Sequence, residues 1–142
     1  MRLLLAAALF MAFAPLPAAA QQWYRVSDGD EIRSYVDLDS LSEEDGLLHA
    51  ETLSKALIPL PDSPVRWIRT TVRFDCAGRR SYLGRVIFYD AKRTEIFNEE
   101  DPDKGKARPV VAGTDAVNMI GFACNVDRDK AVPIADPWTD EP

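Results

Sequence analysis

Two cysteines, one histidine and a group of arginines are the side chains that bear most on chemistry in this 142-residue chain. Cys76 and Cys124 stand 48 positions apart. A redox-active pair usually sits two residues apart at a helix start, so this spacing points to a structural bridge. Two cysteines and a single histidine are too few for a zinc module, a cysteine-held iron–sulfur cluster or a multi-histidine centre. His49 lies near Glu51 and Lys55, with no G-x-S-x-G elbow to serve and no H-E-x-x-H helix to join. There is no P-loop and no dinucleotide fingerprint. The acidic run Glu99-Glu100-Asp101-Pro102-Asp103 lacks the ligand spacing and glycine of a calcium loop, and Lys104 and Lys106 follow at once. It reads as a solvated loop. The expectation is therefore a protein with no catalytic residues, no metal site and no cofactor.

The arginines suggest binding instead. Arg66, Arg69, Arg73, Arg79, Arg80 and Arg85 crowd one stretch beside Trp67 and Tyr89. Trp67, Arg69, Arg73 and Arg85 are the candidate patch, a local positive surface on a chain of formal charge −6. Such a patch can hold an anionic polymer or a partner's carboxylates. The competing reading pairs the same arginines across strands with Asp75, Glu51 or Glu31, leaving only a solvated face. The acidic balance argues against general nucleic-acid binding, which needs clustered Lys and Arg to neutralise phosphates.

The first 20 residues have the three parts of a secretory signal. Met1-Arg2 is the positive start, Leu3 to Ala14 is an apolar run, and Ala18-Ala19-Ala20 offers small residues for cleavage before Gln21. A helix of that run rises roughly 18 Å, well short of a hydrocarbon core about 30 Å thick. No other segment is apolar enough to span, and no cysteine stands at the cleavage site for a lipoprotein anchor. The expected product is exported, periplasmic or secreted. In an oxidising compartment the default state of Cys76 and Cys124 is a disulfide, worth roughly 4 kcal/mol by loop-closure entropy.

The elements that position these residues are mostly strands. Trp23–Ser27 and Glu31–Leu38 flank the turn Asp28-Gly29-Asp30 and read as a hairpin. Asp39–Gly46 reads as a polar connection, Leu47–Ile58 as a third strand, and Pro59–Pro64 as a loop. Val65–Cys76 alternates most clearly, with Ile68, Thr70, Val72, Phe74 and Cys76 on one face. A three-residue turn at Ala77-Gly78-Arg79 then pairs Phe74 with Tyr82, Thr70 with Val86 and Ile68 with Phe88 across the strand Arg80–Tyr89. Arg93–Phe97 can add a short strand, and Asn98–Pro109 reads as charged and flexible. One helix follows Thr114, with Ala116, Val117, Ile120, Ala123 and Cys124 on a single stripe. Gly121 would let that helix approach the sheet, while Met119 and Phe122 point off the stripe, toward an oligomer contact or the tail. The expected class is α+β: an antiparallel sheet of about five to six strands, with one C-terminal helix packed on one face and tied by the disulfide. Residues 21–126 form the domain. Residues 127–142, acidic and Pro-rich with an isolated Trp138, read as a flexible tail.

Trp23-Tyr24-Arg25-Val26, Ser34-Tyr35-Val36-Asp37 with Ser40-Leu41, and Phe74-Asp75-Cys76 followed by Arg79-Arg80-Ser81-Tyr82 form a recognisable set with a helix ending in Cys124. In these residues the chain resembles the surface-adhesin E family of bacterial exported proteins, over about residues 22–126. The resemblance implies an antiparallel sheet with a tethered helix, a homodimer, attachment to host extracellular-matrix and plasma proteins, and haem binding. No compact motif maps those activities onto positions here. The function expected is an exported, non-catalytic binding module of the bacterial envelope that meets a host matrix protein. The alternative is a periplasmic envelope-maintenance or assembly factor that binds another bacterial protein. Recognition would use the face of Trp67, Arg69 and Arg73, or the loops at 59–64 and 98–110.

Overall fold

The computed structural model describes residues 21–103 and 105–141. The leader expected over residues 1–20 lies outside the described residues. Six strands follow one another as a meander: β1 (Trp23–Asp28), β2 (Ile32–Glu44), β3 (Leu47–Ala56), β4 (Trp67–Asp75), β5 (Arg80–Tyr89) and β6 (Glu95–Glu100). Each pairs antiparallel with the next. β7 (Arg108–Pro109) pairs with β5 beyond the end of β6. After the helix α1 (Asp115–Ala123), β8 (Val132–Ile134) adds to the free edge of β1. The class is the expected one, antiparallel sheet plus a single helix. Among the described residues the strand count is eight, because β7 and β8 are only two and three residues long, too short to show a period.

Alternation in β2, β3 and β4 sends one set of side chains to each face, and both sets are buried. Val36, Ala50, Val72 and Phe74 meet Ile120, Phe122 and Ala123 of α1. Trp23, Tyr35, Leu53 and Trp67 form a second cluster on the opposite, outer face. Tyr35 is 0% exposed.

Of the sheet's register shifts, the two beside β3 and β4 change the expected pairing. β2 continues through the segment read as a polar connection, because extra residues between Asp37 and Ser42 bulge out while pairing resumes at Ser42 and His49. The Ser40 hydroxyl holds that bulge, donating to the Asp37 carbonyl and accepting from the Glu51 amide, both at 2.7 Å. Between β4 and β5, Ile68–Phe88 and Thr70–Val86 pair as expected, but Phe74 pairs with Ser81 and Arg73 with Tyr82. The shift occurs opposite Thr71, whose hydroxyl accepts from the Arg85 amide at 2.8 Å. Gly84 makes room for it: a Cβ there would lie 2.6 Å from Thr71 Oγ1.

α1 crosses β1, β2 and β3. Asp115 anchors its start, accepting from the Ser27 and Ser34 hydroxyls at 2.7 and 3.0 Å. Thr114 takes the N-cap position without capping, since its hydroxyl donates to the Val111 carbonyl. Cys76 and Cys124 are bonded, with Cα atoms 5.8 Å apart, so the end of the helix is tied to the end of β4. Gly121 does not serve approach to the sheet; its open side faces Asp127, 3.0 Å from an added Cβ. Phe122, expected off the core stripe, is buried against Tyr24 and roofed by the Arg128 guanidinium.

Two further segments depart from expectation. The charged stretch 98–109, expected to be flexible, is pinned at Asp101 and Arg108. Asp101 is buried, its amide donates to the Gly84 carbonyl, and its carboxylate accepts from Arg108. Residues 127–141, expected as a flexible tail, run back across the outer face as β8 and a 3-10 turn at Pro137–Thr139. The reason is Trp138 and Pro137, whose burial outweighs the acidic residues around them.

Two consequences can be measured. Replacing both cysteines with serine removes a tether across about 49 residues and should cost about 2–5 kcal/mol in urea unfolding. Native protein treated with an alkylating reagent should gain no mass until it is reduced. Gly84→Val should cost about 1–3 kcal/mol, because its Cβ collides with the Thr71 hydroxyl and the bulge has no slack. A neutral result at residue 84 would mean that the register shift does not need glycine.

Candidate functional site

The outer face of the sheet carries the residues singled out from sequence, and it divides into two halves. Toward the β4–β5 turn it is open. A hollow of about 710 Å³ is lined by Ser40, His49, Glu51, Thr71, Arg73 and Glu100 among others. β3 and β4 set its floor by pairing His49 with Arg73 and Glu51 with Thr71, which puts all four side chains on one face. The Ser40 bulge and the Gly84 bulge stand on either side of it.

Its charges are paired. Arg69 Nη2 donates to Glu51 Oε2 at 2.6 Å, and that bond holds the guanidinium above its ordinary value against the opposing effect of burial. Arg85 Nε donates to Glu100 Oε1 at 3.2 Å. Arg73 lies over the Tyr82 ring, 5.4 Å from its centroid. His49 Nε2 sits 3.5 Å from Glu44 Oε2. Among the described residues no group of three or more His, Cys, Asp or Glu is placed to hold a metal ion. The arrangement offers a half-exposed surface of alternating charge and hydroxyl groups, suited to recognition by hydrogen bonds.

Toward the other end the outer face is aromatic and covered. Trp67 is 4% exposed, packed between β-strand neighbours and Trp138, whose ring centroid is 4.9 Å away. Tyr89 meets Trp138 edge-on at 5.2 Å. The side chain of Asp140 lies beside this stack and accepts from Arg25 Nη1 and from the Tyr35 hydroxyl, each at 3.0 Å. Burial, reinforced by that carboxylate, raises the Tyr35 phenol far above its ordinary value. Arg33, 4% exposed, donates to Asp28 at 2.7 Å and lies 3.6 Å from Asp140.

The structure therefore separates the four patch residues. Arg73 lines the hollow, Arg85 reaches it through Glu100, Arg69 is engaged across strands with Glu51, and Trp67 lies beneath Trp138. Sequence reasoning missed Arg25, Arg33, Tyr35, Lys55 and Asp140 as one cluster. Its only local sign was an isolated tryptophan followed two residues later by aspartate in the C-terminal segment. No helix among the described residues is long and apolar enough to cross a membrane.

The surface-adhesin protein E family model matches residues 23–125, which span the meander from β1 to the end of α1. Solved structures of Haemophilus influenzae protein E are similar in fold. One is 16% identical, covers 81% of this chain and 93% of that chain, and gives a TM-score of 0.50. Another, from non-typeable Haemophilus influenzae, is 14% identical over 82% of this chain and 84% of that chain, with a TM-score of 0.48. No curated protein matches by sequence.

Asp37 yields a pH prediction. Burial, with Asp39 and Glu51 nearby, raises its carboxyl above the ordinary value, opposed by the Asp39 amide and by Arg69. A raised acid destabilises the fold above its folded pKa, and that cost is relieved as pH falls through it. Asp37→Asn keeps the acceptor for the Asp39 amide and should be at least as stable as the parent at pH 7. Its advantage should shrink on acidification and vanish below the ordinary aspartate range. Urea midpoints at pH 7, 5 and 4 check this; a variant weaker at pH 7 would show that the charge itself stabilises.

Proposed function

The chain belongs to the surface-adhesin protein E family, and from that membership we propose an exported, non-catalytic binding module that attaches to host extracellular-matrix proteins. The observation that carries the reading is the family match over residues 23–125, which takes in both sheet faces, the tethered helix and the hollow. The contact surface in this reading is the hollow and its rim, where Arg73, Arg85 and Glu51 present charge, and His49 a ring nitrogen, without deep burial. Charge-assisted hydrogen bonds at such a rim give orientation and fast encounter with an oppositely patterned partner. Trp67 is no part of this surface while Trp138 covers it.

Purified mature protein titrated over immobilised matrix proteins should bind saturably in the micromolar range. Arg73→Gln with Arg85→Gln should weaken that binding at least tenfold while the chain still melts cooperatively, at a slightly lower temperature for the loss of the Arg85–Glu100 and Arg73–Tyr82 contacts. Absence of saturable binding would overturn the adhesive role. Surface labelling of intact cells is the companion measurement: a protein reached only after the outer membrane is opened would meet an envelope component in place of a host protein.

A further inference from the structure

The aromatic half of the outer face is covered by this chain's own C-terminal segment, through three kinds of contact. β8 adds three residues to the edge of β1, pairing Trp23 with Ile134, Tyr24 with Pro133 and Arg25 with Val132. Trp138 then packs against both Trp67 and Tyr89, which pair across β4 and β5. Two residues on, Asp140 meets a cluster of donors. Its carboxylate takes Arg25 and Tyr35, and its backbone carbonyl takes Lys55 Nζ at 3.0 Å. Arg93 adds a bond to the Trp138 carbonyl at 3.1 Å. Strand addition at an edge, one aromatic plug and one clamped carboxylate are the way folded domains commonly read extended peptides.

The cradle and its occupant differ in kind. Trp23, Tyr35, Leu53 and Trp67 come from long paired strands inside the family-matched residues, and the occupant lies beyond residue 125. Arg33 has its own partner in Asp28 at 2.7 Å, and Lys55 lies over the Trp67 ring at 5.1 Å, so these cations stay placed if the segment lifts away. The occupant's inward contacts are grouped at Ile134, Pro137, Trp138 and Asp140, while Val132 is exposed. A hollow of about 640 Å³, lined by Lys55, Arg66, Trp67, Arg93, Trp138 and Glu141 among others, adjoins the Trp138 ring.

We propose that this cradle is a second recognition site, closed by residues 132–140 acting as an intramolecular competitor. The partner it fits is a protein presenting an extended segment with a tryptophan and, two residues later, a carboxylate. A short covalent connection gives the resident segment an effective concentration of about millimolar, so a free peptide at micromolar concentration does not displace it. Release requires a partner that binds more tightly or a change that weakens the Trp138 and Asp140 contacts.

The test uses the full mature chain and a fluorescent peptide spanning residues 131–142. The wild-type chain should bind it weakly. A chain carrying Trp138→Ala and Asp140→Asn should bind at least tenfold more tightly, and a peptide with the same two replacements should lose that gain. A folded double variant that binds no better than wild type would overturn the proposal. If the double variant melts out, Asp140→Asn alone carries the test, with an intermediate gain expected and no gain overturning it. Wild-type chain that runs as a dimer by light scattering, and as a monomer when Trp138 and Asp140 are replaced, would place a second copy's segment in the cradle and also overturn it.

Discussion

The central strands of this sheet bury side chains on both faces, and everything else in the molecule follows from having to cover them. A strand that is apolar on two sides needs a layer above and a layer below. On one side the layer is a nine-residue helix, too short to be stable alone. It is held at its start by Asp115 against Ser27 and Ser34, and at its end by the disulfide to Cys76. On the other side the layer is the C-terminal segment, held by strand pairing with β1, by Pro137 and Trp138, and by the contacts of Asp140. The first cover is held covalently and the second by non-covalent contacts alone. That difference, more than any pocket, distinguishes the two faces.

Charge follows the same constraint. A buried ion is costly unless it is paired, and removing one partner leaves the other stranded. Arg33 with Asp28, Arg108 with Asp101 and Arg69 with Glu51 are such pairs, each set by strand register or by a turn. Much of the arginine content thus serves to place strands and loops. Around the hollow, register holds His49, Glu51, Thr71 and Arg73 side by side on a half-exposed face. A recognition surface of the proposed form would be distributed over several strands, and no short motif would announce it.

Alternation in β3 and β4 was legible because a period of two is a local property of the chain. The pairing of Cys76 with Cys124 was legible because only two cysteines exist and the sheet and helix patterns bring them together. The bulges were not legible. Each depends on a hydroxyl, Ser40 or Thr71, finding a backbone group on a neighbouring strand, and on Gly84 lacking a Cβ in a crowded place. Phe122 was misplaced for a related reason. A helical wheel shows a stripe facing the sheet, but Arg128 and Tyr24 close over the flank of α1 and widen its buried face.

Sequence by itself determined the fold class, the two faces of the central strands and the bond between its two cysteines. Those are decided by residue type at short range and by elimination. Only the tertiary structure decided what the candidate patch presents. It drew Trp67 under Trp138, tied Arg69 to Glu51 and left Arg73 at the hollow. It also turned residues 127–141 from an acidic, proline-rich stretch into the cover of a face. Arg25 and Asp140 meet across 115 positions. No local pattern encodes a contact of that range, because its energy comes from surfaces that exist only once the sheet has formed.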